Sequence, residues 1–301
     1  MSGQAPTIGD RLRSFGLFIW NGEEKQFLGR GGRSWAQIGL FYLIYYACLA
    51  GFWIGLLSVF YKTLDVTNPK LTGDASLLKG NPGMGFQPMP DVEYTLIRFR
   101  EDKATYKAHV DSIKKVLKPY IQAAANSTNA DCSQPGYEPS DDEACAVSMA
   151  ALLAGCNEDN DFGYALDPPR PCVLLRLNKI FDWMPQEYTE DNIADAGVDE
   201  ELQQKILMDP KLIYIQCTGE NPADVDNIGT NITYYPAQGF PHYYYPFKNQ
   251  KGYLSPLVFV QFNSVRPNVA MMLECRALAP NINFDRQDKE GGVHFELLVD
   301  P

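Results

Sequence analysis

A chain of 301 residues with net charge −11 and 45% hydrophobic residues has room for one sizeable domain plus smaller segments. The acidic balance offers no electrostatic footprint for nucleic acid. These bulk values conceal a sharp unevenness along the chain.

The first 33 residues carry Arg11, Arg13, Lys25, Arg30 and Arg33 against Asp10, Glu23 and Glu24, a local balance of +2. The next 28 residues, Ser34 to Tyr61, hold no charge. A helix needs about 20 apolar residues to cross about 30 Å of hydrocarbon, so this run is long enough to span with some tilt. It is too long, and too far from the start, for the apolar core of a cleaved signal peptide. Trp35 and Tyr61 suit the aromatic belts at the two interfaces. Everything after the span sums to −13, so the positive-inside rule predicts a cytosolic tail over 1–33, a type II signal anchor over 34–61 and an external remainder.

Within the span, Tyr42, Tyr46, Leu49 and Trp53 follow helical spacing, with Phe41, Tyr45 and Phe52 beside them. Ala47, Gly51 and Gly55 form a small-residue stripe on a different face. Lipid tails need neither feature. Small residues let another helix approach closely, and tyrosine hydroxyls at bilayer depth seek polar partners. The pattern predicts a helix with a partner in the membrane as well as lipid around it.

Residues 62–91 are rich in Pro, Gly and Lys, and Asn81-Pro82-Gly83 and Pro88-Met89-Pro90 read as an extended stalk leading into a domain over 92–301. Tyr106, Val110, Ile113 and Leu117 share one helical face, and Pro119 is expected to end that helix. Cys48 lies in the span. Cys132, Cys145, Cys156, Cys172, Cys217 and Cys275 all follow it, with no zinc-like spacing. An even number of cysteines there predicts three disulfides in an oxidising compartment. Their connectivity stays open, with sequential pairing the simplest. Two glycosylation acceptors, at Asn126 and Asn231, lie on the same side.

The stretch 126–172, with its acidic run Ser140-Asp141-Asp142-Glu143, reads as stapled loops. Beyond Cys172 the period changes to two. Val173–Leu177, Leu212–Gln216, Leu257–Phe262, Val269–Leu273 and Val293–Val299 read as strands, and Glu200–Met208 as a short helix. The predicted fold is a single transmembrane helix plus a mainly-β ectodomain. That ectodomain is an immunoglobulin-like antiparallel β-sandwich with one or two helices and long disulfide-stapled loops.

Chemistry-bearing motifs are sparse. His109, His242 and His294 form no HExxH and sit in no nucleophile motif. Asp159-Asn160-Asp161 and Asp224-Val225-Asp226 match the DxD pattern of metal-dependent glycosyltransferases, which share this topology, but neither lies in a strand–helix alternation. The reading is of a non-enzymatic chain without cofactor or metal. A Golgi transferase and a lone adhesion receptor stand as the alternatives.

Phe18-Ile19-Trp20-Asn21, Phe27-Leu28-Gly29-Arg30 and Arg33-Ser34-Trp35 resemble the cytosolic signature of the β subunits of the sodium/potassium-transporting ATPase. Leu40-Phe41-Tyr42, Tyr45-Tyr46 and Cys48-Leu49-Ala50-Gly51 are similar to that family's transmembrane core. Tyr214-Ile215-Gln216-Cys217, Tyr243-Tyr244-Tyr245-Pro246 and Val260-Gln261-Phe262 follow in the family's order. The resemblance implies a one-to-one partner, the catalytic α subunit of a P-type pump, whose folding, plasma-membrane delivery and potassium handling the chain assists. It leaves open whether a small single-span regulatory subunit joins. It implies the pairs Cys132–Cys145, Cys156–Cys172 and Cys217–Cys275. It also implies α-subunit contact through Phe41, Tyr42, Tyr45 and Tyr46, with Tyr243, Tyr244, Tyr245 and Pro246 near the α subunit. The β subunits of proton/potassium pumps share the architecture and rank second. The two acceptor sites are fewer than many relatives carry.

Overall fold

The computed structural model describes residues 8–65, 67–76, 80–126, 129–134, 136–137, 139–287 and 290–300. The chain falls into two compact units, Met1–Val66 and Thr67–Pro301.

The first unit begins with helix α1 (Ile8–Ile19) and three short strands, β1 (Trp20–Asn21), β2 (Gln26–Phe27) and β3 (Arg30–Gly31), paired antiparallel. The β1–β2 turn is held by Asn21, whose Oδ1 accepts from the backbone N–H of Glu23 at 3.1 Å and Glu24 at 3.3 Å. Leu28 and Gly29 take positive φ, 50° and 70°, to turn β2 into β3. Sequence patterning is silent here because two-residue strands are too short to show a period. Helix α2 (Gly32–Lys62) follows, slightly longer at both ends than the uncharged run. At about 1.5 Å per residue it is about 46 Å long, and it is the one described helix long and apolar enough to cross a membrane. Thr63 ends it: its N–H and hydroxyl both reach the Phe60 carbonyl, at 3.0 and 2.7 Å.

The second unit holds, in chain order, β4 (Met84–Gln87), β5 (Leu96–Phe99), α3 (Lys103–Asn126), α4 (Met149–Leu152), β6 (Cys172–Leu177), α5 (Glu200–Met208), β7 (Leu212–Gly219), α6 (Pro222–Ile228), β8 (Ile232–Tyr235), β9 (Gly239–Pro241), β10 (Leu257–Phe262), β11 (Met271–Leu278) and β12 (Gly292–Val299). They build two sheets, ordered β4-β6-β10-β8 and β5-β12-β11-β7-β9. Alternating inward residues of both sheets meet in one core, where Phe295 of β12 lies 5.1 Å from Phe86 of β4 and 6.1 Å from Phe262 of β10, ring centre to ring centre. The unit is thus a mainly-β, two-sheet sandwich, with a single apolar helix preceding it in the chain.

Several details differ from the sequence reading. Met84–Gln87 was expected in the stalk, yet it pairs with β6 as an edge strand: Met84 and Phe86 point into the core, and short alternation among prolines hides the strand. Helix α3 runs past Pro119 to Asn126. An interior proline costs a helix about 3 kcal/mol, but the apolar face continues through Tyr120, whose hydroxyl donates to the Ser255 carbonyl at 2.9 Å, and that packing outweighs the break. The sandwich carries α3, α4, α5 and α6 rather than one or two helices. One pairing, β5 with β12, is parallel. The strand read at Val269–Leu273 starts at Met271, after Asn268 turns at φ 62°, and continues to Leu278 with Glu274 and Arg276 on its outer face.

The disulfides are Cys132–Cys145, Cys156–Cys172 and Cys217–Cys275. The third joins directly paired positions of neighbouring strands β7 and β11 within one sheet. In immunoglobulin domains the comparable bridge links the two sheets.

Candidate partner-binding surfaces

No residue of α2 is buried by the chain itself. At 3.6 residues per turn, Tyr42, Tyr46, Leu49 and Trp53 occupy about 60° of its circumference, and Ala47, Gly51 and Gly55 centre on the opposite side. The aromatic rings order one another: Tyr42 stacks on Tyr46 at 6.0 Å and Phe41 on Tyr45 at 6.3 Å. A Cβ added at Gly51 or Gly55 would meet nothing within 4 Å. Both stripes are therefore exposed.

The Tyr243–Pro246 segment is built differently. Tyr244 and Tyr245 are buried within the sandwich unit. The Tyr244 hydroxyl donates to the Ala146 carbonyl at 3.0 Å, and Tyr245 meets Trp183 edge-on at 5.6 Å. Burial pushes both phenols up, that of Tyr245 well above the usual tyrosine value. The half-buried Tyr243 is the most accessible of the three; its carbonyl oxygen lies 3.2 Å from Cys145 Sγ. The segment thus supports the Cys132–Cys145 loop, with Tyr243 half-buried against the Tyr244 ring at 4.6 Å.

Asn126 is the last residue of α3, while Ser127 and Thr128 of its acceptor site lie outside the described residues. Exposed Asn231 immediately precedes edge strand β8. Its acceptor site is held by Asn263, whose side-chain amide donates to Thr233 Oγ1 at 2.8 Å and Asn231 Oδ1 at 3.3 Å.

Both DxD motifs are occupied by folding tasks. Asp161 pairs with Lys103 Nζ at 2.9 Å and, like Phe162, sits at positive φ, in a turn capped by Asn157 and Asn160. Asp224 is buried at the start of α6, where Asn221 Nδ2 donates to its carboxylate at 2.5 Å. Neither pair presents two free carboxylates to a metal, and among the described residues no group of His, Cys, Asp or Glu is arranged to hold one.

Of the histidines, His109 packs on the Tyr164 ring with Nε2 3.0 Å from the Arg98 carbonyl, and burial lowers its pKa. Burial likewise lowers His242. His294 is the exception. It lies between two carboxylates, with Nδ1 2.5 Å from Glu220 and Nε2 2.8 Å from Glu296. Partial burial works against its charge, but the two carboxylate hydrogen bonds outweigh it and raise its pKa. His294 and Glu296 lie two apart on β12 while Glu220 follows β7, 74 residues earlier, so no local sequence motif announces the full cluster. The sequence reading also passed over Val92, Tyr94 and Leu96, an exposed alternating apolar run entering β5; its period of two was the available signal.

The sodium/potassium ATPase beta chain family matches residues 5–295. The chain is 37% identical to the sodium/potassium-transporting ATPase subunit beta-2 of Drosophila melanogaster, covering 96% of this chain and 93% of that protein. It is 35% identical to subunit beta-1 of the same organism, over 96% and 94% of the two chains. Against subunit beta-1 of Tetronarce californica it is 30% identical, over 94% of each. On this agreement across nearly the whole length, the chain belongs to the sodium/potassium ATPase beta chain family.

Proposed function

We propose that this chain is the non-catalytic β subunit of a sodium/potassium-transporting pump, bound one-to-one to the catalytic α subunit. In this reading α2 packs against α-subunit helices through Phe41, Tyr42, Tyr45 and Tyr46, with Gly51 and Gly55 offering a second close approach. The tail over 1–33 is cytosolic. The external domain covers the α subunit's outer loops, with the half-buried Tyr243 the most accessible member of its tyrosine segment. Asn126 and Asn231 carry glycans. The chain assists α-subunit folding and plasma-membrane delivery and modulates potassium handling.

One observation carries the reading: a helix with two compositionally distinct, exposed stripes, in a chain of this family. Exposed tyrosine hydroxyls in hydrocarbon are costly without polar partners. Co-expression with the catalytic subunit and affinity purification in mild detergent test it. The combined Tyr42→Ala and Tyr46→Ala variant should lose about thirty-fold in affinity for the partner, the equivalent of two interface residues each contributing about 1 kcal/mol. Undiminished recovery together with undiminished surface delivery would overturn the assignment of this face.

A further inference from the structure

We propose that residues 8–31 form a membrane-surface element. It lies on the leaflet at the N-terminal end of α2, with its aromatic and aliphatic side chains in the headgroup–acyl boundary and its cations on anionic phospholipid headgroups. The inference rests on α2 crossing the bilayer and is independent of any protein partner.

The helix supplies the first observation. Ile8, Phe15 and Ile19 recur at helical spacing along one side of α1, while Arg13 and Ser14 fall on the other, beside exposed Leu17. Phe15 is 61% exposed and Ile8 80%. A helix of 12 residues is too short to be stable in water by backbone hydrogen bonding alone, so this stripe needs a surface to bury against.

The small sheet supplies the second. Trp20 pairs with Phe27, and Phe27 with Arg30, so all three side chains share one face. Trp20 is 62% exposed on that face. Trp35 of α2 reaches the same face: its ring lies 5.8 Å from that of Phe27, and its Nε1 donates to the Phe27 carbonyl at 2.9 Å. Trp35 stands in the first turn of the spanning helix, where indoles favour the headgroup level. The contact therefore holds the Trp20–Phe27–Arg30 face at that level, and only Gly31 separates Arg30 from α2.

Charge favours an anionic lipid surface: residues 8–33 carry Arg11, Arg13, Lys25, Arg30 and Arg33 against Asp10, Glu23 and Glu24, a balance of +2. Arg13, Lys25, Arg30 and Arg33 make no ion pair among the described residues, and Arg30 reaches only the Ser34 hydroxyl, at 3.5 Å. Exposed aromatics interleaved with unpaired cations suit an interfacial element on an anionic leaflet, with long basic side chains reaching the phosphates. The tether to α2 makes surface binding intramolecular, so individually weak contacts suffice.

The test uses the full chain in single-copy nanodiscs, on a Cys48→Ala background, with one nitroxide placed by Phe15→Cys, Glu23→Cys or Phe52→Cys. Collision with oxygen and with a water-soluble nickel chelate reports depth, in phosphatidylcholine with and without phosphatidylserine. The expected result is a label at 15 shielded from nickel and rich in oxygen collisions in the phosphatidylserine discs, against a water-exposed label at the turn position 23. Adding R13Q or K25Q should each lower the ratio of bound to free segment by roughly five-fold in those discs. Trp20→Cys repeats the readout from the sheet if the Phe15 variant disturbs α1. Labels at 15 and 20 as open to nickel as the one at 23 would overturn the proposal. So would equal shielding in both lipids, or shielding that appears only with a second copy or the catalytic subunit present. A water-exposed label at 52 would identify a failure of the span itself, and the proposal would fall with it.

Discussion

The two units of this chain solve the burial of apolar surface in opposite ways. In the sandwich, Phe295 is 0% exposed, closed in by side chains of its own domain. In the membrane helix, Phe41 is 63% exposed and no residue is buried. The apolar side chains of α2 are exposed, whereas those of the sandwich core are enclosed by their own domain. The same residue type is a stability determinant in the sandwich and, under the proposed function, a recognition determinant on α2, and substitutions can separate the two.

The largest expected effect is Phe295→Ala. Removing a fully buried aromatic between two sheets should destabilise the sandwich domain by about 3–5 kcal/mol, read as a lowered midpoint in chemical denaturation of the detergent-solubilised chain. Phe41→Ala in the same assay should leave that midpoint unchanged and show itself only in partner recovery. A stability loss at Phe41 would break the comparison. The Cys132–Cys145 bridge comes next. It closes a loop of 13 residues, and its double serine variant should lose roughly 3 kcal/mol in the same unfolding measurement. Smaller again is Asp199→Ala. Its carboxylate caps α5 by accepting from the Leu202 N–H at 2.8 Å, and its loss should cost about 1 kcal/mol.

The sequence was most legible where a period ran long. The uncharged run predicted α2 to within two residues at its start, because a bilayer imposes a length requirement that composition alone can meet. Strands such as Leu257–Phe262 were legible because each residue there is buried, leaving an apolar run interrupted only by Gln261. Legibility failed where tertiary contact overrode local rules. Pro119 reads as a helix end, yet Tyr120 beyond it is anchored to Ser255 across the domain. Met84–Gln87 is a strand because β6 lies beside it, not because its own residues favour one. For the candidate binding face, spacing identified the stripes on α2 but not what Tyr244 and Tyr245 do. Their burial depends on Trp183 and Ala146, residues far away in the chain.

The Glu220–His294–Glu296 cluster gives the smallest effect and the sharpest sign. His294 has its pKa raised by two carboxylates against the opposing pull of burial. Glu296 is held down despite its own partial burial, by the Thr95 hydroxyl at 2.7 Å and by His294. Glu274, on the neighbouring strand opposite His294, is engaged by Arg286 at 2.7 Å and so adds little uncompensated charge. A histidine whose folded value exceeds its unfolded 6.5 contributes stability that is fully present below that value. The contribution is lost as pH rises through the folded value. Because the ring is about one-third exposed, solvent screening limits it to roughly 0.5–1 kcal/mol. His294→Gln should therefore lower the unfolding temperature by about 1–3 °C at pH 6 and progressively less toward pH 9, in contrast to Phe295→Ala on the same strand, whose cost is independent of pH. A gap that widens with rising pH would mean that His294 is stabilising as the neutral ring, and that the two carboxylates do not act on it as a pair.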